Sequence, residues 1–445
     1  MAFLYTLLLH AATPLILLRL WWRGRRQPAY RQRIAERFGR VPASEAPIDV
    51  WIHAVSVGES LAAAPLIEAL IRRHGEGHVW VTTTTPTGSA RVIALFGARV
   101  RHSYIPYDWP GAVDRFLARV RPRRVVVMET ELWPNLFRAL ARRGIPLVVA
   151  NARLSPRSYR RYARLPSAMG KVLGCCRLIA AQSAADAERF RQLGAPRVEA
   201  IGNLKFDLEI PAGQVEEGRR LRAWIGVDRP VWVAVSTHEG EEDIVLDAHR
   251  KARSQFKDLL LILVPRHPER FNKVGTLAMR RGFVYRRHTG LDLSQPPQGG
   301  KAFMGNLIIG DTMGQMFTYL AAADIAFVGG SLVDVGGHNI LEPAALGLPV
   351  LFGPHMHNFE DARRLLLEHD AAFEVEDARD LATHVAELFM VPERRKECGA
   401  AGREAVAGNR GAVQRLLEII DRLPSAREPP RGDETGLLHE STSRQ

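Results

Sequence analysis

Asp49-Val-Trp-Ile-His-Ala-Val-Ser-Val-Gly-Glu-Ser60 opens with a short apolar run, passes through a turn of small residues with one glycine, and enters an amphipathic stretch. An apolar run without in-out alternation is the pattern of a parallel strand covered on both faces. The glycine permits a tight hand-over to a helix expected over 59–73. The same unit recurs along the rest of the chain. Strands are expected at 79–83, 124–128, 146–150, 178–181 and 198–201, with helices at 112–120, 132–143 and 184–193. A second series starts near Pro230, with strands at 231–235, 259–264, 307–309, 325–328 and 349–352. Its helices are expected at 241–254, 269–281, 316–322, 339–345 and 362–368. Strand–helix alternation with right-handed crossovers builds doubly wound parallel sheets.

The chain is therefore read as α/β, with two Rossmann-like halves facing one another. A length of 445 residues also suits two domains. The expected spans are an anchor over 1–20, a first domain over 21–208, a second over 209–423 and a polar, disordered tail over 424–445. Residues 206–213, holding Pro211 and Gly213, read as the linker. Open parallel sheets bind ligands beyond their strand C-termini, so the chemistry is expected in the gap between the halves.

Bulk properties narrow the partners. With 46% hydrophobic and 24% charged residues, the chain can bury cores. A formal charge of +13 favours anionic partners: nucleotide, phosphorylated lipid, membrane surface or nucleic acid. No aromatic-basic stripe or nucleic-acid module is evident, so nucleic acid is not expected, although a nucleic-acid-binding protein is the rival of a different class. Three cysteines, two of them adjacent (Cys175 and Cys176), give no disulfide framework and no zinc pattern.

Residues 1–18 are almost wholly apolar, interrupted by His10 and Pro14. Trp21 and Trp22 follow, within a basic run of Arg19, Arg23, Arg25, Arg26, Arg31, Arg33, Arg37 and Arg40. There is no positive start and no clear cleavage site, so the segment reads as an uncleaved anchor rather than a signal peptide. It is short for a spanning helix, and an interfacial helix or a buried core helix are the other readings. The basic side belongs in the cytoplasm, lying against anionic headgroups.

The polar residues gather at expected strand ends. Glu59 follows the first strand, where a carboxylate can take a proton from an attacking hydroxyl or simply complement a helix dipole. Met128-Glu-Thr-Glu-Leu-Trp-Pro-Asn135 follows another strand, and Glu129 and Glu131 either face a ligand or cap a helix. Lys205 in Gly202-Asn-Leu-Lys-Phe-Asp207 can neutralise a phosphate or carboxylate, or stand in solvent. Ser236-Thr-His-Glu-Gly-Glu-Glu242 suits phosphate at a helix start, while its glutamates can be dipole complements. Arg266 in Val264-Pro-Arg-His-Pro-Glu-Arg270 can fork onto phosphate or lie on the surface. Gly310-Asp-Thr-Met-Gly-Gln315 is a nucleotide-type turn or a plain β–α loop.

The most specific stretch is Gly329-Gly-Ser-Leu332 with Gly336-Gly-His-Asn-Ile-Leu-Glu-Pro-Ala344. Its glycines would let backbone N–H groups approach phosphate, and Glu342 could accept from ribose hydroxyls. No metal is expected. His238 lacks the H-E-x-x-H spacing, and His355 and His357 lack a third ligand.

Taken in order, His53-Ala-Val-Ser-Val-Gly-Glu59, Met128-Glu-Thr-Glu-Leu-Trp-Pro-Asn135, Asn151-Ala-Arg-Leu-Ser155, Pro265-Arg-His-Pro-Glu-Arg270, Gly310-Asp-Thr-Met-Gly314 and Gly336-Gly-His-Asn-Ile-Leu-Glu-Pro343 resemble the Kdo (3-deoxy-D-manno-octulosonic acid) transferase family. The resemblance runs from about Arg31 to Arg422. It implies a GT-B glycosyltransferase of the inner (cytoplasmic) membrane. Such an enzyme moves Kdo from CMP-Kdo to a lipid A precursor, lipid IVA, without a cofactor. The family pattern makes Glu59 the general base and gives Glu129 and Lys205 to transition-state stabilisation. It assigns Pro265, Arg266, Met313, Gly314, Gln315, Asn339, Ile340, Leu341 and Glu342 to the cytidine nucleotide. Gln315 departs from the expected Glu, which matters little if that contact is made by backbone. The rival within the fold is a UDP-sugar transferase or an N-acetylglucosamine epimerase.

Overall fold

The computed structural model describes residues 2–294, 303 and 305–424, so nearly all of the expected tail lies outside the described residues. The chain divides into two compact units, residues 1–207 with 410–445, and residues 208–409.

The first unit is built on seven strands: β1 (Val50–His53), β2 (Val79–Thr83), β3 (Arg101–Tyr104), β4 (Val125–Met128), β5 (Leu147–Ala152), β6 (Leu178–Ala181) and β7 (Val198–Ala200). They run in the order β3-β2-β1-β4-β5-β6-β7, and every pair is parallel. The strand pleat sends alternate residues to opposite faces. Trp51, Val125, Val127 and Val149 enter one apolar layer with Phe116 and Phe137. Val50, Ile52, Val126 and Val148 enter the other with Leu66, Ile67 and Leu70. Both faces are covered, which is why these strands carry unbroken Val/Ile runs. Each such side chain contributes roughly 1.5–3 kcal/mol by burial.

A helix from the end of the chain, Ala412–Arg422, completes the second of these layers with Leu416, Leu417 and Ile420. Its start is held by Asp207, which accepts from the N–H groups of Gly411 (2.6 Å) and Val413 (2.5 Å). The second domain, expected to run unbroken over 209–423, therefore ends at Asn409. The Leu/Ile face of this helix is matched to the first sheet's layer.

The second unit carries β8 (Val231–Thr237), β9 (Leu260–Pro265), β10 (Tyr285–Arg287), β11 (Leu307–Ile309), β12 (Ile325–Val328), β13 (Val350–Phe352) and β14 (Ala372–Glu374). Their order is β10-β11-β9-β8-β12-β13-β14, again parallel throughout. In both sheets the direction of winding reverses beside the first strand, between β1 and β4 and between β8 and β12. Loops leaving those neighbouring strand ends diverge and leave a crevice, the usual ligand position in open α/β sheets. The cysteines are free thiols.

The N-terminal apolar segment forms two helices, Ala2–Ala11 and Thr13–Arg26. Among the described residues no single helix is long and apolar enough to cross a membrane. The pair Leu4–Ala11 and Thr13–Arg25 passes that test together, bent by 45°. Pro14 sits in the first turn of the second helix, where its missing N–H weakens the ladder across the bend. The basic run divides. Arg33 donates to Glu36 and Ser89, and Arg37 is buried, bonded to the Thr84 carbonyl and stacked over Tyr104. These two arginines hold the first unit together and do not face headgroups. Arg19, Arg23, Arg25 and Arg31 remain exposed.

Candidate functional site

Glu59 lies in the first turn of helix Val57–His74, directly after β1. Ser56 caps that helix by accepting from Glu59 N (3.3 Å), and the Glu59 carboxylate reaches back to the Val55 N–H (2.9 Å) and the Ser56 hydroxyl (3.2 Å). This reciprocal arrangement resembles a capping box, with the Val55 N–H in place of the cap residue's own, so the dipole-complement reading of Glu59 is structurally real. The box does not leave the group an ordinary surface acid. Glu59 is 8% exposed, and burial, reinforced by repulsion from Glu129 and Glu131, pushes its carboxyl up to about 8. A carboxyl poised near working pH is what general acid–base chemistry requires.

Glu129 stands at the end of β4, the strand next to β1, with a left-handed backbone (φ 55°). Asn151 at the end of β5 shares that conformation (φ 53°). For non-glycine residues such geometry costs on the order of 1–2 kcal/mol. It persists here because each residue is pinned. Glu129 N donates to Ala150 O (2.8 Å), and Asn151 Oδ1 accepts from Leu204 N (3.0 Å). The second bond anchors the short turn Leu204–Phe206 that carries half-buried Lys205. That turn packs against the Glu59 helix. Glu59, Glu129 and the Lys205 turn thus gather at the C-terminal edge of the first sheet, while burial raises Glu131 as well.

In the second unit one expectation is overturned. The N–H groups of Gly330 (2.7 Å), Ser331 (2.9 Å) and Leu332 (2.9 Å) are not open to a phosphate. They donate to Glu241, which also accepts from His238 N (2.9 Å) and is fully buried. Gly329 is needed for this close packing, since a Cβ there would lie 2.8 Å from the Ser236 carbonyl oxygen and 2.9 Å from Glu241 Oε2.

The other glutamates of that turn are engaged too. Glu242 makes a forked pair with Arg270 (3.0 Å), and Glu239 joins it at 2.9 Å. The cluster that could have suggested a metal site is therefore committed to backbone and arginine. Beside it His238 and His338 meet Nε2 to Nε2 at 2.8 Å, with His267 edge-on to His238. Burial and the neighbouring Arg266 charge hold His338 down to about 3. Arg266 leaves β9 with its N–H on the Thr237 carbonyl (3.0 Å). The sequence did not single out this histidine group, although His338 lies inside the quoted glycine motif.

The remaining residues expected at the nucleotide lie in the 313–315 loop and at the start of helix Leu341–Leu346. Met313 and Gly314 are exposed, and Gly314 needs its left-handed φ of 78°. The Gln315 side-chain oxygen accepts from the Thr318 hydroxyl (2.8 Å), which leaves its backbone and its amide nitrogen as means of contact. Asn339 caps Leu341 N (3.2 Å) and donates to Glu342 (3.1 Å), which orients that carboxylate. Ile340 and Leu341 are buried, so any contact they make is also through backbone. His355 and His357 flank exposed Asp334 at 3.8 and 3.9 Å.

Two doubly wound parallel sheets in one chain, each with polar residues gathered at its switch point, define the GT-B class of glycosyltransferase fold. A crystal structure of a glycosyltransferase from Rickettsia africae ESF-5 shares that fold, with a TM-score of 0.52 at 14% identity over 84% of this chain and 98% of that one. Residues 32–208 match the family described as 3-Deoxy-D-manno-octulosonic-acid transferase (kdotransferase). A 3-deoxy-D-manno-octulosonic acid transferase of Haemophilus influenzae is 42% identical over 423 residues, covering 94% of this chain and 97% of the relative. One from Bordetella pertussis is 39% identical over 433 residues, covering 94% and 98%. The chain belongs to the 3-deoxy-D-manno-octulosonic acid (Kdo) transferase family.

Proposed function

We propose that this chain moves Kdo from CMP-Kdo onto a lipid A precursor at the cytoplasmic face of the inner membrane, with Glu59 as general base. The observation that carries the reading is the buried Glu59 carboxyl, raised to about 8 at the first sheet's switch point beside Glu129 and Glu131. Glu59 takes the proton of a sugar hydroxyl as that oxygen bonds to the Kdo anomeric carbon. The bond from that carbon to the CMP phosphate breaks, and the electron pair leaves with the phosphate. Positive charge develops on the sugar ring, where Glu129 is the carboxylate suited to oppose it. Lys205 offsets the Kdo carboxylate or the departing phosphate.

Pro265, Arg266, the Met313–Gln315 loop and Asn339–Glu342 hold the cytidine nucleotide, with Arg266 on its phosphate. The commitment of Glu239, Glu241 and Glu242 to other partners leaves Arg266 and the three histidines as an environment suited to an anion. The exposed leucines and arginines of the N-terminal helices support attachment to a lipid surface. Incubation with CMP-Kdo and lipid IVA, read by product mass, is the direct test; no mass gain of Kdo ends the proposal. Calorimetric titration with CMP and with UDP separates it from a UDP-sugar enzyme.

Two further results are expected. Arg266→Ala should weaken CMP binding roughly tenfold to a hundredfold, the value of a charge-assisted hydrogen bond; unchanged affinity removes Arg266 from the phosphate. A base must be deprotonated to act, so kcat/KM should fall about tenfold per unit as pH drops below about 8 and level off above it. A profile flat between pH 6 and 9 would contradict that role.

A further inference from the structure

The N-terminal arm buries Leu20 but leaves an apolar face open, while two of its polar side chains turn inward. A helix packed on a protein in water buries its apolar stripe and exposes its polar one. Here Leu4, Leu7, Leu8, Leu15 and Leu18 point outward, from 53 to 69% exposed. The side chains turned toward the protein include Tyr5 and Thr6. The Tyr5 hydroxyl donates to Asp108 Oδ2 (3.0 Å), and the Thr6 hydroxyl donates to Asn135 Oδ1 (3.1 Å). An outward leucine face is stable beside hydrocarbon, and exposed Arg19, Arg23 and Arg25 follow where anionic headgroups would lie.

The inward bonds converge on one place. Asp108, 2% exposed, accepts from the N–H groups of Asn135 (3.0 Å) and Leu136 (2.7 Å), and its carbonyl accepts from the Asn135 side chain (2.7 Å). Helix Pro134–Arg142 has no side-chain cap of its own at Trp133, so Asp108 is its cap from outside. That helix begins at the end of the Glu129–Trp133 loop. One buried carboxylate therefore joins the arm with its outward leucines to the loop that carries Glu129 and Glu131.

We propose that the Tyr5–Asp108–Asn135–Thr6 network is a membrane-seated clamp. With the arm's leucines in the bilayer, it fixes the height and tilt at which the Glu129–Trp133 loop meets a lipid-borne acceptor. These four are positioning residues, and the proposal rests on the Kdo-transfer and membrane readings above. Lipid of the same composition also carries the substrate, so a fixed seat lowers the orientational cost of encounter.

The test uses the full chain and the double variant Tyr5→Phe, Thr6→Val, which keeps the arm's length and apolarity but removes both hydroxyls. Lipid IVA is offered in phosphatidylethanolamine–phosphatidylglycerol vesicles and, separately, in detergent micelles, whose small mobile surfaces impose no fixed seat. The expected result is unchanged sedimentation with vesicles, unchanged CMP affinity, and a KM about tenfold higher for vesicle-borne acceptor at constant kcat. Micellar turnover should stay at the wild-type level. Equal losses in both media would make the network a purely structural cap and overturn the clamp, as would no loss in either. Wild-type protein that transfers no Kdo in either medium fails the function reading. Wild-type protein that transfers Kdo but does not sediment with vesicles overturns the clamp alone.

Discussion

Glutamine in place of Glu59 should lower Kdo transfer by on the order of 10³-fold, with CMP affinity unchanged. Such a loss can be separated from misfolding. With its carboxyl raised to about 8, the side chain is mostly protonated at neutral pH, so the neutral amide resembles its resting form. The amide oxygen can still accept from the Val55 N–H, and the Ser56 cap on Glu59 N is untouched. The melting temperature should move little, and the acidic limb of the pH profile should vanish along with the activity. Rates from product mass, with CMP titrated by calorimetry, give both numbers. A glutamine variant that turns over normally would transfer the role of base to another group.

A loss of different character is expected at Glu241. This carboxylate is fully buried and accepts from four backbone N–H groups, three of them in the loop after β12. In Glu241→Ala those donors lose their partner in a site closed to bulk water. Leaving buried donors unsatisfied, together with losing charge-assisted bonds, should cost about 3 kcal/mol or more. For a unit of this size that corresponds to roughly 6–12 °C in melting temperature. Because the Gly329–Leu332 loop adjoins His338, CMP binding should weaken as well. Thermal unfolding followed with and without CMP measures both effects. A variant as stable as the parent would show that water replaces the carboxylate without loss.

The contrast between these two glutamates marks what could be read along the chain. Glu59 acts within four residues of its own position, through Val55 and Ser56, and a short motif can encode that. Glu241 acts on residues 89 to 91 positions away, across neighbouring strands. Its sequence context is an acidic first turn like many others. The glycines at 329 and 330 correctly marked a place where backbone comes close to an anion, but that anion is the protein's own carboxylate. Asp108 carries no local signal at all, since its partners at Tyr5 and Asn135 lie far off on both sides.

The central strands were legible because burial on both faces demands unbroken apolar runs. The strands passed over were β3, β10 and β14, all at sheet edges, with the sequences Arg-His-Ser-Tyr, Tyr-Arg-Arg and Ala-Phe-Glu. An edge strand has one neighbour and partial exposure, so its composition is freer.

The return of Ala412–Arg422 to the first unit bears on how the protein is made. A ribosome releases the chain from its N-terminus, and domains commonly fold as they emerge. Here residues 1–207 lack a piece of their hydrophobic layer until helix Ala412–Arg422 has been translated. A nascent chain stalled before residue 412 would therefore hold a complete 208–409 unit, while the unit that carries Glu59 would still lack part of its apolar layer.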